Sequence, residues 1–234
     1  MKNAKTREQA LRDGRERLYP SLTDPSWLVL RRRREVFSKW LVRLKQGKLD
    51  VLDVGGRLQP YRPLLEGRLR RYIAIDLQST PLIDIVGRGE LLPLRSGEFD
   101  LVICTQVLEY SRDPRLVIAE IHRVLKPDAV LLLSSPAALP RTAEEECWRF
   151  LPAGMRQLLA AFREVEVVPE GNSVTGFFRT ANVCLDMFAR YPLVRRIFRI
   201  TLCPAMNLAG AMLAVLSGSR NDQFAVNYSV WARR

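Results

Sequence analysis

From Leu49 onward, short and nearly continuous apolar runs alternate with turn and helix signals. LDVLDV (49–54), RRYIAID (70–76), PLIDIV (81–86), FDLVICT (99–105) and AVLLLSS (129–135) have the unbroken apolar character of strands buried on both faces of a parallel sheet. Helices fit between them around 60–66 and over 114–125, where Pro114 opens PRLVIAEIHRVL and Lys126-Pro127 closes it. EEECWRFLPAGMRQLLAAF (144–162) reads as a loop and a helix starting near Pro152. REVEVVPE (163–170) and FAVNYSVWARR (224–234) read as a sixth and a last strand, an antiparallel pair at the sheet edge. The pattern predicts an α/β fold: a Rossmann-like, doubly wound, seven-stranded sheet with an antiparallel last strand and ligands at the carboxyl ends of the strands.

Two stretches lie outside this alternation. SWLVLRRRREVFSKWLVRLKQ (26–46) spaces Trp27, Leu30, Phe37, Trp40, Leu41 and Leu44 close to helical period, interrupted by Arg31 to Arg34. It predicts an amphipathic helix over the sheet with a solvated arginine face, the alternative being a surface for anions or membrane. Between the sixth and last strands lie about fifty residues where a hairpin needs a handful. From Ile200 to Ser219 this insertion holds no charged residue. About twenty such residues can span a bilayer, but Pro204 and Asn207 interrupt the run and the chain must return to the same sheet. A buried core helix and a lid against a membrane surface or acyl chain therefore stand ahead of a spanning helix. Arg190, Arg195, Arg196, Arg199 and Arg220 favour the interfacial option. The expected organisation is a basic N-terminal helical extension (1–48), a core (49–170 and 224–234) and a helical insertion (171–223).

Composition sharpens this picture at one point. The 234 residues are 47% hydrophobic and 26% charged, which excludes a mainly disordered chain. The net charge of +12 divides into +9 over 1–49, −3 over 50–188 and +6 over 189–234. Basic character thus belongs to the appendages, which directs attention to an anionic surface or acceptor near them rather than to nucleic acid. Cys104, Cys147, Cys184 and Cys203 show no CxxC spacing and His122 is the sole histidine, so no metal site or disulfide framework is expected. The charged first residues include no secretory apolar stretch. The expected setting is cytoplasmic, with peripheral contact at the inner face of the membrane through 26–46 and 190–220 as an added option.

VLDVGGRLQPY (51–61) ends a strand on a carboxylate and turns through two glycines, which let the backbone approach a ligand closely. About twenty residues on, Asp76 ends the second strand, placed to accept hydrogen bonds from ribose hydroxyls. The pair indicates a nucleoside cofactor.

Taken together, VLDVGG, YIAID, GELLPLRSGEFDLVICTQVLEY, DPRLVIAEIHRVLKP and VLLLSSP resemble the class I S-adenosylmethionine-dependent methyltransferases, specifically the type 11 methyltransferase domain family, over roughly 49–165. The resemblance implies S-adenosyl-L-methionine as cofactor. It implies that Asp53, Gly55, Gly56 and Tyr61 shape the methionine end of the pocket, that Asp76 takes the ribose and that Leu77 lies against adenine. Glu90 and Leu91 would line the adenine edge, Thr105 and Gln106 would sit beneath the sulfonium, and Gln106, Glu109 and Tyr110 are the candidate catalytic residues. Trp148, Arg149 and Phe150 resemble the family's stretch over the acceptor. The implied activity is methyl transfer to a small-molecule, glycan or lipid-linked acceptor at oxygen. A non-catalytic binding module serving a membrane or protein partner is the alternative.

Three departures stand out. Arg57, Leu58 and Gln59 occupy positions where relatives carry small residues, Arg88 stands where an acidic residue often meets adenine, and the usual Pro-Gly-Gly turn reads Pro127-Asp128-Ala129. None removes the ribose carboxylate, so cofactor binding is expected to survive. His122, mid-helix, is expected to be structural. No catalytic tetrapeptide of nucleic-acid methylases follows the fourth strand, where CTQVLEY stands.

Overall fold

The computed structural model describes residues 6–217 and 221–234; Arg220 lies outside the described residues. One sheet of seven strands runs in the order β3-β2-β1-β4-β5-β7-β6. The strands are β1 (Leu49–Val54), β2 (Leu69–Asp76), β3 (Ile85–Val86), β4 (Phe99–Thr105), β5 (Leu125–Pro136), β6 (Glu164–Pro169) and β7 (Asn227–Arg233). Strands β3, β2, β1, β4 and β5 are parallel to one another, whereas β7 is antiparallel to both β5 and β6. The antiparallel pair of β6 and β7 forms one edge of the sheet as expected, with β7 inserted between β5 and β6 so that β6 is the outermost strand.

Two expected elements are shorter than their patterns. The run 81–86 keeps only Ile85–Val86 as strand, because the Asp84 carboxylate accepts the Ala74 N–H at 2.8 Å and so does locally what strand pairing would do. The helix around 60–66 is a single 3-10 turn, Arg62–Leu65. Pro60 and Pro63 lack donors there, and only three residues separate the turn from β2.

Helices cover both faces. On one, α3 (Pro114–Val124) and α4 (Pro152–Leu158) bury Val117, Ile118, Ile121 and Met155 against Leu52, Val102 and Leu131. Asp113 caps α3 through the Arg115 N–H, with Pro114 at its first position. On the other, α2 (Trp27–Leu41) packs Phe37, Trp40 and Leu41 over Val51, Leu101 and Leu132; each such side chain contributes about 2 kcal/mol by burial. The helix α1 (Arg7–Leu18), with a Thr6/Gln9 capping box, precedes it.

The arginine run of α2 departs from the solvated face expected of it: Arg33 is 2% exposed. The insertion folds as α5 (Ser173–Phe188), α6 (Pro192–Ile200) and α7 (Leu202–Leu216). At the opposite end of the sheet from the glycine turn, Asp50 and Asp100 gather Arg70, Lys126 and Lys45 into an ion cluster that ties the starts of β1 and β4 together. In the Pro127-Asp128-Ala129 turn, Asp128 itself adopts the left-handed backbone, φ 61°, a conformation Asp tolerates better than most residues other than glycine.

Candidate functional site

The turn after β1 is shaped by what cannot fit there. Gly55 has φ +79°, and a Cβ on it would lie 2.3 Å from Val107 Cγ2, so both backbone and packing demand glycine. Its N–H donates to the Ile75 carbonyl at 2.8 Å, holding the turn to the end of β2. A Cβ on Gly56 would meet Asp53 Cγ at 2.7 Å. Asp53 is buried and accepts from the Tyr72 hydroxyl at 2.6 Å. Burial pushes its carboxyl up to about 7, with Tyr72 opposing and Asp76 adding to the rise. Asp76 is half-buried at the tip of β2; Oδ1 accepts the Gln78 N–H at 2.9 Å, and Oδ2 has no partner among the described residues.

The tip of β4 carries Thr105 and then Gln106, whose backbone is left-handed at φ 56°, a strained conformation of the kind that collects at functional sites. Its N–H donates to the Ser134 carbonyl at 2.8 Å. The Asn227 amide, oriented to satisfy its neighbours, accepts from Gln106 Nε2 at 2.9 Å and Arg33 Nη2 at 3.1 Å. Arg33 Nε in turn donates to Glu170 Oε1 at 2.8 Å, which also accepts from the hydroxyls of Ser134 at 2.5 Å and Ser229 at 2.7 Å. Glu170 and the Tyr61 phenol hold the Arg33 guanidinium well above its ordinary range despite the opposing effect of burial. The network pins α2 to β5, β7 and the strained residue at the tip of β4.

Beside it lies a cavity of about 250 Å³ bounded by Gln106, Leu58, Arg33, Arg179, Asp24 and other residues of α1 and α2. Arg179 Nη2 donates to Ser26 Oγ at 3.2 Å. Its Nε and Nη1 are buried without a hydrogen-bond partner among the described residues, and desolvation lowers the guanidinium to about 10. Such donors suit a carboxylate.

Around the rim, Leu77 (59%) and Leu91 (78%) are exposed, and Glu90 accepts the Arg112 N–H at 3.1 Å. Glu109 is buried, Oε2 lacks a partner among the described residues, and desolvation pushes its carboxyl up to about 7. The exposed Tyr110 donates to Glu146 at 3.3 Å. Trp148, half-exposed, donates its indole N–H to the Ser111 carbonyl at 2.9 Å. Arg149 pairs with Glu146 and braces the Leu139 carbonyl, whereas Phe150 is buried in the core with Leu108 and Met155. Tyr61 is buried against Phe37, ring centroids 4.9 Å apart. Sequence reasoning did not single out Glu170, Arg179 or Asn227 as a polar group around Arg33. Each reads as a surface or capping residue until α2 and α5 are folded over the strand ends. His122 lies on α3 with its ring edge-on to Phe162 at 5.1 Å, a packing role.

These residues fit S-adenosylmethionine. A turn that excludes Cβ atoms lets a ligand lie on the backbone, an available carboxylate oxygen on Asp76 suits ribose, and unpartnered guanidinium donors suit the amino-acid carboxylate. When bound, the cofactor supplies an electrophilic methyl group on a sulfonium. The arrangement of fold and site resembles that of the class I S-adenosylmethionine-dependent methyltransferases, and residues 52–133 match the family model described as "Methyltransferase domain". A probable S-adenosylmethionine-dependent methyltransferase of Mycolicibacterium smegmatis is 30% identical over 131 residues, covering 52% of this chain and 50% of that protein. A malonyl-[acyl-carrier protein] O-methyltransferase of Laribacter hongkongensis is 36% identical over 88 residues, 38% of this chain and 28% of that one. The chain thus spans half or less of the length of these relatives. In overall shape it is similar to the [4+2]-cyclase SpnF, with TM-score 0.57 and 16% identity over 99% of this chain and 97% of that one, a likeness of fold.

Proposed function

We propose that this protein transfers the methyl group of S-adenosylmethionine to an oxygen of a small-molecule, glycan or lipid-linked acceptor. The observation that carries the reading is the coincidence of three features at one end of the sheet: the Cβ-excluding turn at Gly55, the available carboxylate of Asp76, and the polar cavity that begins at Gln106. In this reading Asp53, Gly55 and Gly56 shape the pocket, with Tyr61 supporting it from beneath. Asp76 holds the ribose, Leu77, Glu90 and Leu91 flank the adenine, and Thr105 and Gln106 lie near the sulfonium. Methyl transfer is an in-line displacement in which positioning supplies much of the rate. A hydroxyl acceptor must also lose a proton, and Glu109, pushed up to about 7, is matched to take it near neutral pH. Tyr110 and Trp148 stand at the acceptor's entrance. Oxygen is favoured because relatives are named as O-methyltransferases.

Calorimetry with S-adenosylmethionine tests the cofactor reading. The wild type is expected to bind and Asp76→Ala to lose about a hundredfold in affinity, the worth of charge-assisted bonds to one ribose. Radiolabelled methyl transfer to hydroxylated and carboxylated acceptors tests the reaction. Failure of the wild type to bind would transfer support to a non-catalytic binding module, for which the lone 3-10 turn after the glycines is the favouring observation. Binding without transfer to any oxygen acceptor would overturn the assignment of the acceptor atom.

A further inference from the structure

Two helices of the insertion leave their apolar faces uncovered. On α6, Arg195 and Arg199 face the body of the protein: Arg199 makes two bonds to Asp186, 2.6 and 2.8 Å, and Arg195 donates to the Asp186 carbonyl at 3.2 Å. Leu193, Val194, Ile197 and Ile200, one helical face, are all at least half exposed. On α7 the inward stripe is Cys203, Asn207 and Gly210. Asn207 donates to the Leu22 and Asp24 carbonyls at 2.8 and 3.0 Å and accepts from Asn182 at 3.0 Å. The opposite face, Leu208, Met212, Val215 and Leu216, points outward, Val215 at 81% exposure. A solvated helix buries its apolar face and exposes its polar one; α7 does the reverse, and α6 buries no residue while leaving its apolar face open.

Fifteen of the large apolar side chains exposed among the described residues fall between Phe177 and Leu216. That exceeds the scattered exposure normal for a soluble surface and marks an interaction site. We infer that α6 and α7 dock this protein onto an anionic lipid bilayer, lying in the interface plane rather than spanning it. Charge decides for lipid over another apolar surface. Exposed Arg190 and Arg196 border the apolar face with Tyr191 beside them, and the outward face of α7 carries no acidic residue, the arrangement of interfacial helices on anionic headgroups. The stretch Pro192–Leu216 is long and apolar enough to cross a membrane. The hydrogen bonds of Asn207 to the body, and the return of the chain to β7, hold it alongside the domain instead. An apolar groove of about 520 Å³ between α5 and α7, lined by Val174, Phe177, Phe178, Leu213 and Leu216, adjoins this face and has the character to accept an acyl tail. Most apolar residues of 26–46, by contrast, are buried, Val42 being the isolated exception at 80% exposure, so the docking surface is the insertion. The inference is independent of methyl transfer.

Flotation with vesicles tests it. The wild-type chain is expected to float with phosphatidylcholine–phosphatidylglycerol vesicles and to bind pure phosphatidylcholine about tenfold less well. Ile197→Glu with Met212→Glu, both at solvent-exposed positions, is expected to reduce binding at least tenfold with an unchanged melting temperature. Val215→Gln with Leu216→Gln serves as a second, uncharged variant should the first melt lower. Arg190→Glu with Arg196→Glu is expected to remove the preference for the anionic vesicles. Absence of flotation by the wild type, or flotation unchanged by both apolar variants, would overturn the inference. So would a dimer in sedimentation velocity that Ile197→Glu dissociates, because the face would then be covered by a second copy of this chain.

Discussion

Arg33 and Glu170, 137 positions apart in sequence, meet through a 2.8 Å hydrogen bond with side-chain exposures of 2% and 0%. A buried pair of this kind gains its attraction against a large desolvation cost, so breaking one half is worse than removing both. Arg33→Met and Glu170→Leu are each expected to lower unfolding free energy by about 3–5 kcal/mol, with the double variant recovering much of the loss. Urea titration of the four proteins checks this; additive single losses would show that the two groups do not act as a pair.

The raised carboxyls give stability a definite direction with pH. Asp53 and Glu109 are each pushed up to about 7, so between about pH 4 and pH 7 the folded protein holds protons the unfolded chain has released. Their contribution is full below about pH 4 and is lost as pH rises through about 7. Melting temperature is expected to fall across that window, less steeply in Asp53→Asn. A profile identical to wild type in that variant would show that Asp53 is ionised in the fold. Asp50, brought down to about 2 chiefly by its hydrogen bond to Arg70, acts in the other direction and only in acid, between about pH 4 and pH 2.

Gly55→Ala meets both a positive φ and the Val107 methyl at 2.3 Å. The combined cost is about 2–4 kcal/mol, together with loss of cofactor affinity as the turn shifts. Adding Val107→Ala should return part of the stability by relieving the overlap, while the backbone strain remains. Chemical denaturation and calorimetry on both variants separate the two effects; full recovery would mean that φ at Gly55 is not restrictive.

Glu109→Gln keeps the shape of a buried side chain and removes its capacity to take a proton. If the acceptor is a hydroxyl, turnover should fall about a hundredfold or more with cofactor affinity little changed. A carboxylate acceptor needs no base, and turnover with it should be nearly unaffected. Equal losses with both acceptor types would assign Glu109 to structure rather than proton transfer.

The sheet was legible because strands buried on both faces have to be continuously apolar, as LDVLDV and FDLVICT are. Its irregularities were not. Asp84 takes the Ala74 N–H with its carboxylate while its own N–H donates to the Ala74 carbonyl, and a pattern of apolar residues does not record where a carboxylate will point. The glycine turn and the carboxylate of Asp76, which the proposed function assigns to the cofactor, were legible because each lies within a short run at a strand tip. The cavity at Gln106 was hidden because Arg33, Arg179 and Asn227 come from three distant segments. Within its run of four, Arg33 carries no mark that distinguishes it from solvated neighbours; only the fold places it opposite Glu170.

The attachment of α2 also bears on where function can vary. Arg33 reaches Asn227, and Asn227 reaches Gln106, so the wall of the cavity and the anchor of the N-terminal helices are the same few atoms. A change that reshapes the cavity disturbs the attachment of those helices as well. Substitutions at the rim, such as Tyr110 or Trp148, carry no such penalty. Diversification of acceptor choice on this scaffold would therefore proceed inward from the entrance, with the Arg33 cluster the last part to change.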